Sequence, residues 1–244
     1  SIMFLATHGV LRRTTSVPLF SFKSISLDGV NDYVDCGNPS SLQITGALTL
    51  SAWVKRDTSA SQNQYVIVSK DDTSSTSNRG YLLNVHTTTD KFQFVIFYDS
   101  VGGVELVRST SSVVDEQWTH VMGVNDGTDL KIYINGVLDN TNVGGGNVIN
   151  NTSANFNIGR RSGGTTVRAH WNGEIDEVSV WNTDQSANAS AIGGTIPTDL
   201  SAYNPISWWR CGDGDSSPTL TDNGSGGNDG TMVSFTGFST DVPT

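Results

Sequence analysis

From residue 24 to residue 182, short runs of alternating apolar and polar residues recur about every ten positions, each closed by Gly, Asn, Asp or Pro. Leu48-Thr-Leu-Ser-Ala-Trp-Val-Lys places Leu48, Leu50, Ala52 and Val54 on one face. Lys91-Phe-Gln-Phe-Val-Ile-Phe-Tyr, Trp118-Thr-His-Val-Met-Gly-Val and Leu130-Lys-Ile-Tyr-Ile-Asn are further strands of this kind. Asn125-Asp-Gly-Thr-Asp and Ile134-Asn-Gly-Val read as tight hairpin turns. Nothing in the span reads as a helix longer than a turn, so the cadence predicts a sandwich of two antiparallel sheets.

Around this core the chain divides into four parts. Residues 1–23 carry apolar positions without a sustained period, plus Arg12, Arg13 and Lys23, and read as an arm. Such an arm either docks on another subunit or packs as an edge on its own domain. Residues 24–182 form the core. Residues 183–204 are small and polar, reading as a linker with one short helix before Gly193-Gly194. Residues 205–244 return to strand character and are expected to pack on the same sandwich.

Composition excludes some functions. Asp and Glu number 24 against 14 Lys and Arg, a net charge of −10, which opposes a grip on nucleic acid or anionic lipid. No apolar run approaches the roughly 18 residues of a membrane span. The Arg pair follows the first apolar run instead of preceding it, an order unlike a secretory signal, and the chain is expected to be soluble. Cys36 and Cys211 lack a CxxC context and read as small buried side chains, with pairing left open. Sequons at Asn150, Asn151, Asn188 and Asn223 matter only in a glycosylating pathway.

Trp171-Asn-Gly-Glu-Ile-Asp-Glu-Val-Ser-Val-Trp181 is the richest stretch chemically. Strict strand alternation puts Glu174, Asp176, Val178 and Val180 on one face and Ile175, Glu177, Ser179 and Trp181 on the other. The four histidines, His8, His86, His120 and His170, show no ligand spacing, and no Gly-x-Ser-x-Gly nucleophile motif occurs. Of Trp53, Trp118, Trp171 and Trp181, three are expected to be buried. Tyr98, His170 and Trp171 stand nearest loop ends and are the candidates for a sugar platform.

Taken in order, Leu27-Asp-Gly-Val-Asn-Asp-Tyr-Val, Leu48-Thr-Leu-Ser-Ala-Trp-Val-Lys, Trp118-Thr-His-Val, Leu130-Lys-Ile-Tyr-Ile-Asn-Gly, Phe156-Asn-Ile-Gly and Gly173-Glu-Ile-Asp-Glu-Val-Ser-Val-Trp resemble a laminin G-like domain of the concanavalin A-like lectin and glucanase superfamily. The resemblance implies an all-β jelly-roll sandwich of two curved antiparallel sheets, a fold shared by lectins, hydrolases and adhesion modules. In that family the phrase resembling Trp208-Trp-Arg-Cys-Gly-Asp-Gly-Asp stands before the Leu-Asp-Gly strand, whereas here it follows the closing strand. Residues 205–235 are therefore expected to fill the opening-strand position from the other end.

The resemblance also frames the chemistry. The superfamily's glucanases place carboxylates as Glu-x-Asp-x-Glu or Glu-x-Asp-x-x-Glu; Glu174 and Asp176 match, but Val178 and Ser179 stand where the third acid belongs. Glu177 is expected on the wrong face, so no enzyme is expected. Related domains hold one structural calcium, and Asp28, Asn31 and Asp32 share one turn that Asp176 could complete if the first and last strands adjoin. The alternative is that these residues only bond the turn's own backbone. The loop with Asp213, Asp215 and Asp222 to Asp229 is a lesser calcium candidate that fails the EF-hand pattern.

A fainter similarity, in Leu5-Ala-Thr-His-Gly-Val and the Trp-Trp-Arg tail, is to structural proteins of tailed bacteriophages. It implies a non-enzymatic virion decoration or attachment component, oligomeric and held to capsid subunits by the arm with Arg12 and Arg13, assembled in the host cytoplasm. The rival expectation is an extracellular, calcium-dependent lectin that binds glycans.

Overall fold

The computed structural model describes residues 20–58, 64–86, 88–99, 101–163 and 169–244. Its strands are β1 (Ile25–Asp28), β2 (Tyr33–Asp35), β3 (Leu48–Arg56), β4 (Gln64–Asp71), β5 (Arg79–His86), β6 (Lys91–Tyr98), β7 (Gly103–Ser112) and β8 (Thr119–Asn125). They continue with β9 (Leu130–Ile134), β10 (Val137–Asn142), β11 (Phe156–Ile158), β12 (Asn172–Trp181), β13 (Ser207–Trp209), β14 (Thr219–Leu220) and β15 (Gly230–Val233). One helical turn, α1 (Ala189–Ile192), follows β12.

Two antiparallel sheets result, as the strand cadence predicts. The first runs β1-β12-β3-β8-β9-β10 with β13 also on β12; the second runs β14-β15-β2-β11-β4-β5-β6-β7. Alternation explains why they stack. Leu48, Leu50, Ala52 and Val54 of β3 enter the shared core, as do Phe92, Phe94 and Ile96 of β6. Trp171 and Trp209 fill the space between sheets, and the Trp209 ring stacks on Phe156 with centroids 5.4 Å apart. Cys36 and Cys211 are free thiols in this core. Asn135 and Gly136 join β9 to β10 with φ of 48° and 75°, the left-handed pair that a two-residue hairpin turn requires.

The C-terminal segment completes both sheets. β13 pairs with β12 at Val178 to Val180, the half of β12 left free by β1, which pairs at Asn172 to Ile175. β15 pairs with β2 and carries β14 on its far side. Between them the stretch 183–204, expected as a linker, packs Ala189, Ile192 and Leu200 against Trp181, Trp208 and Met122 on the outer face of the first sheet. The apolar residues spaced along this stretch bury too much surface for it to hang free.

Alternation fails at one place. Between Asp176 and Ser179 the register of β12 against β3 shifts, and Glu177 sits at a φ of 49°. Ile175, Val178 and Val180 all face the core, so the extra residue leaves Asp176 and Glu177 together on the outer face. The expectation that Glu177 points away from Asp176 is corrected by this bulge.

Candidate functional site

The outer face of the second sheet carries apolar groups that the core does not use. Leu82, Val95 and Leu106 stand in cross-strand register on β5, β6 and β7, with Phe97 opposite Val104 beside them. Together with Val66 and Ala169, Leu82, Val95, Phe97 and Leu106 form an apolar cluster of their own. The next row along the strands is polar: Asn84, Gln93 and Arg108 are also in register, and Arg108 Nε donates to Gln93 Oε1 at 2.6 Å.

Two guanidinium groups close the other side. The Arg79 Cζ lies 3.8 Å from the centroid of the Phe97 ring, a cation–π contact that holds the side chain flat. Arg79 Nε donates to Asp71 Oδ1 at 2.9 Å, and Arg161 Nε donates to Asp71 Oδ2. Asp71 is fully buried; burial pushes its carboxyl up to about 6, against the pull of Arg79. Arg79, Gln93 and Arg161 line, with Leu82, Val95, Phe97, Val104 and Leu106, a depression of about 210 Å³. Further along the face, Arg160 lies 3.5 Å over the Tyr33 ring and donates to Asn157 Oδ1 at 3.2 Å. Leu82, Gln93, Val95 and Phe97 are buried, so Val104 and Leu106 are the apolar residues that reach solvent beside the guanidinium groups, a surface suited to a ligand with one apolar face and a polar edge.

The residues expected to hold calcium are not brought together as a set. Asp28 Oδ1 accepts the N–H groups of Val30, Asn31 and Asp32 at 2.8 Å, 3.2 Å and 3.4 Å, and Asp32 Oδ2 accepts the N–H of Asp28 at 3.2 Å. The first and last strands do adjoin, but Asp28 stands opposite Asn172. Asp176 is four residues further on, roughly 13 Å at about 3.3 Å per residue. Its Oδ2 accepts Ser21 Oγ at 2.6 Å and its Oδ1 accepts the Glu177 N–H at 2.8 Å. Among the described residues no three His, Cys, Asp or Glu side chains form a metal-sized cluster, and the Asp28 carboxylate bonds backbone N–H groups of its own turn.

The expected sugar platform separates as well. Trp171 is fully buried, its ring edge-on to Tyr65 and its indole N–H on the Glu174 carbonyl at 3.2 Å, so it presents nothing to a ligand. Its neighbour His170 is half-buried with Nδ1 enclosed and lacking a partner among the described residues; burial and Arg160 hold its pKa below the usual histidine value. Tyr98 is half-buried at the end of β6, one residue beyond Phe97. Of the other tryptophans, Trp53 and Trp181 are buried, while Trp118 is half-buried and donates to Asp241 Oδ1 at 2.8 Å. Arg12 and Arg13 lie outside the described residues.

The described end of the arm binds its own domain. Beside the Ser21 contact, the Phe22 N–H points at both carboxylate oxygens of Asp213 at 3.1 Å, and Arg210 donates to the Phe20 carbonyl at 3.2 Å. Trp208 Nε1 and Arg210 Nε donate to Glu177 at 2.5 Å and 3.3 Å, so the acid pair is enclosed and fully used.

The sequence did hold a signal for the residues on the open face. Lys91-Phe-Gln-Phe-Val-Ile-Phe-Tyr is apolar at both parities, Phe92, Phe94 and Ile96 on one and Val95 and Phe97 on the other. A strand apolar on both faces is buried on both, and β6 packs one in the shared core and the other beneath the depression. Asp71, Arg79 and Arg161 are far apart in sequence, and only the fold joins them.

Known proteins share this architecture. A candidate carbohydrate-binding protein from Bacteroides ovatus superposes with a TM-score of 0.68 at 18% identity, covering 91% of this chain and 60% of that one. The CBM40 domain of the Ruminococcus gnavus IT-sialidase, bound to α2,3-sialyllactose, gives 0.54 at 12% identity over 73% of this chain and 100% of the domain. Domain 4 of the extracellular arabinanase AbnA of Geobacillus stearothermophilus, in complex with arabinotriose, gives 0.51 at 16% over 70% and 76%. Pappalysin-1 of Mus musculus is 26% identical over 145 residues, 55% of this chain but only 9% of its own length. The family model for laminin G domains of this type matches residues 28–189, more than half of the chain, and with that match the chain belongs to the concanavalin A-like lectin/glucanases superfamily.

Proposed function

We propose that this chain is a non-catalytic recognition module that binds a glycan on the outer face of β4 to β7. The observation that carries the reading is the depression itself. Over its buried floor of Leu82, Val95 and Phe97, Val104 and Leu106 offer apolar surface for the C–H face of a sugar ring, and Arg79 stands at the rim to meet polar groups. Three structures of the same fold are described as, or seen in complex with, carbohydrate binders, which supports the reading without locating the site.

Catalysis finds no apparatus on that face. Glycoside cleavage needs two carboxyl groups flanking the bond, and among the described residues none lines the depression, Asp71 being buried beneath two arginines. Asp176 and Glu177, which the bulge unites, are enclosed by Ser21, Trp208 and Arg210. Residues 20–22, the described end of the arm, engage the chain's own Asp176, Arg210 and Asp213.

A glycan array probed with the whole chain, with and without chelator, tests the reading. Binding to a defined glycan, weakened several-fold by Val104→Ser at an exposed position in a protein of unchanged melting temperature, is the expected result. Absence of any retained glycan would overturn it. Loss of binding on chelation alone would move the site away from this face, towards a cation.

A further inference from the structure

The depression carries guanidinium donors that a neutral sugar would not require. Arg79 and Arg161 both donate to the buried carboxylate of Asp71 in a chain whose net charge is −10. Arg79 spends only its Nε on Asp71; its two terminal nitrogens carry no hydrogen bond among the described residues, although the side chain is only 26% exposed. The Phe97 ring beneath it fixes the plane of the guanidinium, so the fork faces one direction. The other neighbouring carboxylates do not bond Arg79. Asp72 accepts from Ser74 and Asn78, and Glu105, sent by alternation to the opposite side from Val104 and Leu106, accepts from Asn142.

We infer that the glycan bound here is acidic, and that the terminal nitrogens of Arg79 take its anionic group while the ring lies on Val104 and Leu106. The inference rests on the glycan reading above and deepens it. A flat fork held by a ring and a buried carboxylate pays little ordering entropy when it binds, and its charge is already desolvated on the Phe97 side. Carboxylate and sulfate ester both match the two parallel N–H groups; the shared chemistry is an oxyanion on a sugar. Arg108, whose guanidinium bonds Gln93 through Nε alone among the described residues, stands further along the same face and would meet a second acidic unit in a longer chain.

The experiment is calorimetric titration of the whole chain with oligosaccharides that contain uronic acid, sialic acid or sulfate ester, each beside its neutral parent, carboxyl-reduced or desulfated. At least one acidic ligand should bind roughly tenfold to a hundredfold more tightly than its parent, the worth of a charge-assisted pair. Raising the salt concentration should narrow the difference. Arg79→Gln should abolish the preference and leave the weaker binding of the neutral parent. Because Arg79→Gln leaves Asp71 with one partner fewer, Asp71→Asn/Arg79→Gln serves as the folded control and should behave alike. The inference is overturned if acidic and neutral ligands bind equally, or if the preference survives in both variants. If no glycan of either kind binds, the glycan reading falls with it. Which arm of the panel wins separates the carboxylate from the sulfate source.

Discussion

Glu177 follows Asp176 with a left-handed backbone, and the two adjacent carboxylates leave the same face of β12, enclosed by Ser21, Trp208 and Arg210. Burial pushes Glu177 up to about 7, with Arg210 and Trp208 opposing. Asp176 is raised well above the usual carboxylate range by its own burial and then by the charge of Glu177.

A pH dependence of stability follows from that pair. Both folded values lie above the unfolded ones, so the folded chain binds protons more readily and the stabilisation is fully present below about pH 4. It is lost as pH rises through about 7. Melting temperature should therefore be several degrees higher near pH 5 than near pH 8, corresponding to roughly 1–3 kcal/mol. Asp28, Asp72, Asp126 and Asp139 are held below their usual values and should reverse the trend in stronger acid. Glu177→Gln should flatten the slope between pH 5 and 8. A melting temperature independent of pH across that window would refute the assignment.

Trp171 should behave as core. Trp171→Ala is expected to cost about 3–5 kcal/mol in chemical denaturation, because a fully buried indole leaves a cavity between the sheets. Ligand affinity per folded molecule should be unchanged. A stable variant that loses glycan binding would restore the sugar-platform role.

Residues 200–244 should be indispensable. They supply β13 to β15 and the Trp209 ring stacked on Phe156, so their deletion opens an edge in both sheets. Light scattering should show aggregation on expression. A truncated protein with an unchanged melting temperature would show that the segment is peripheral.

Cys36 and Cys211 should react only on unfolding. Burial raises both thiols well above their ordinary pKa and removes them from solvent. A thiol reagent should label neither in native protein and both in denaturant, and mass under non-reducing conditions should show no bridge. Rapid native labelling of either would contradict the packing.

The alternation of Leu48-Thr-Leu-Ser-Ala-Trp-Val and the Asn135-Gly136 turn were legible in the sequence because both are local: one follows from pleat geometry, the other from the φ that Gly and Asn tolerate. The return of Trp208-Trp209 into the sandwich was legible from the displaced phrase that contains it. Three things were not. The bulge at Glu177 depends on how β12 registers against β3 on one edge and β13 on the other, and strict alternation assigns its side chain the wrong face. Trp171 stands near a loop in sequence but lies between the sheets in space.

The depression shows the division most clearly. The apolar residues Val95 and Phe97 announce themselves within a single strand, because alternation is a property of the strand alone. Asp71, Arg79 and Arg161 meet only when the sheet and the segment that crosses it are assembled, since charge pairing depends on distance in space and not along the chain.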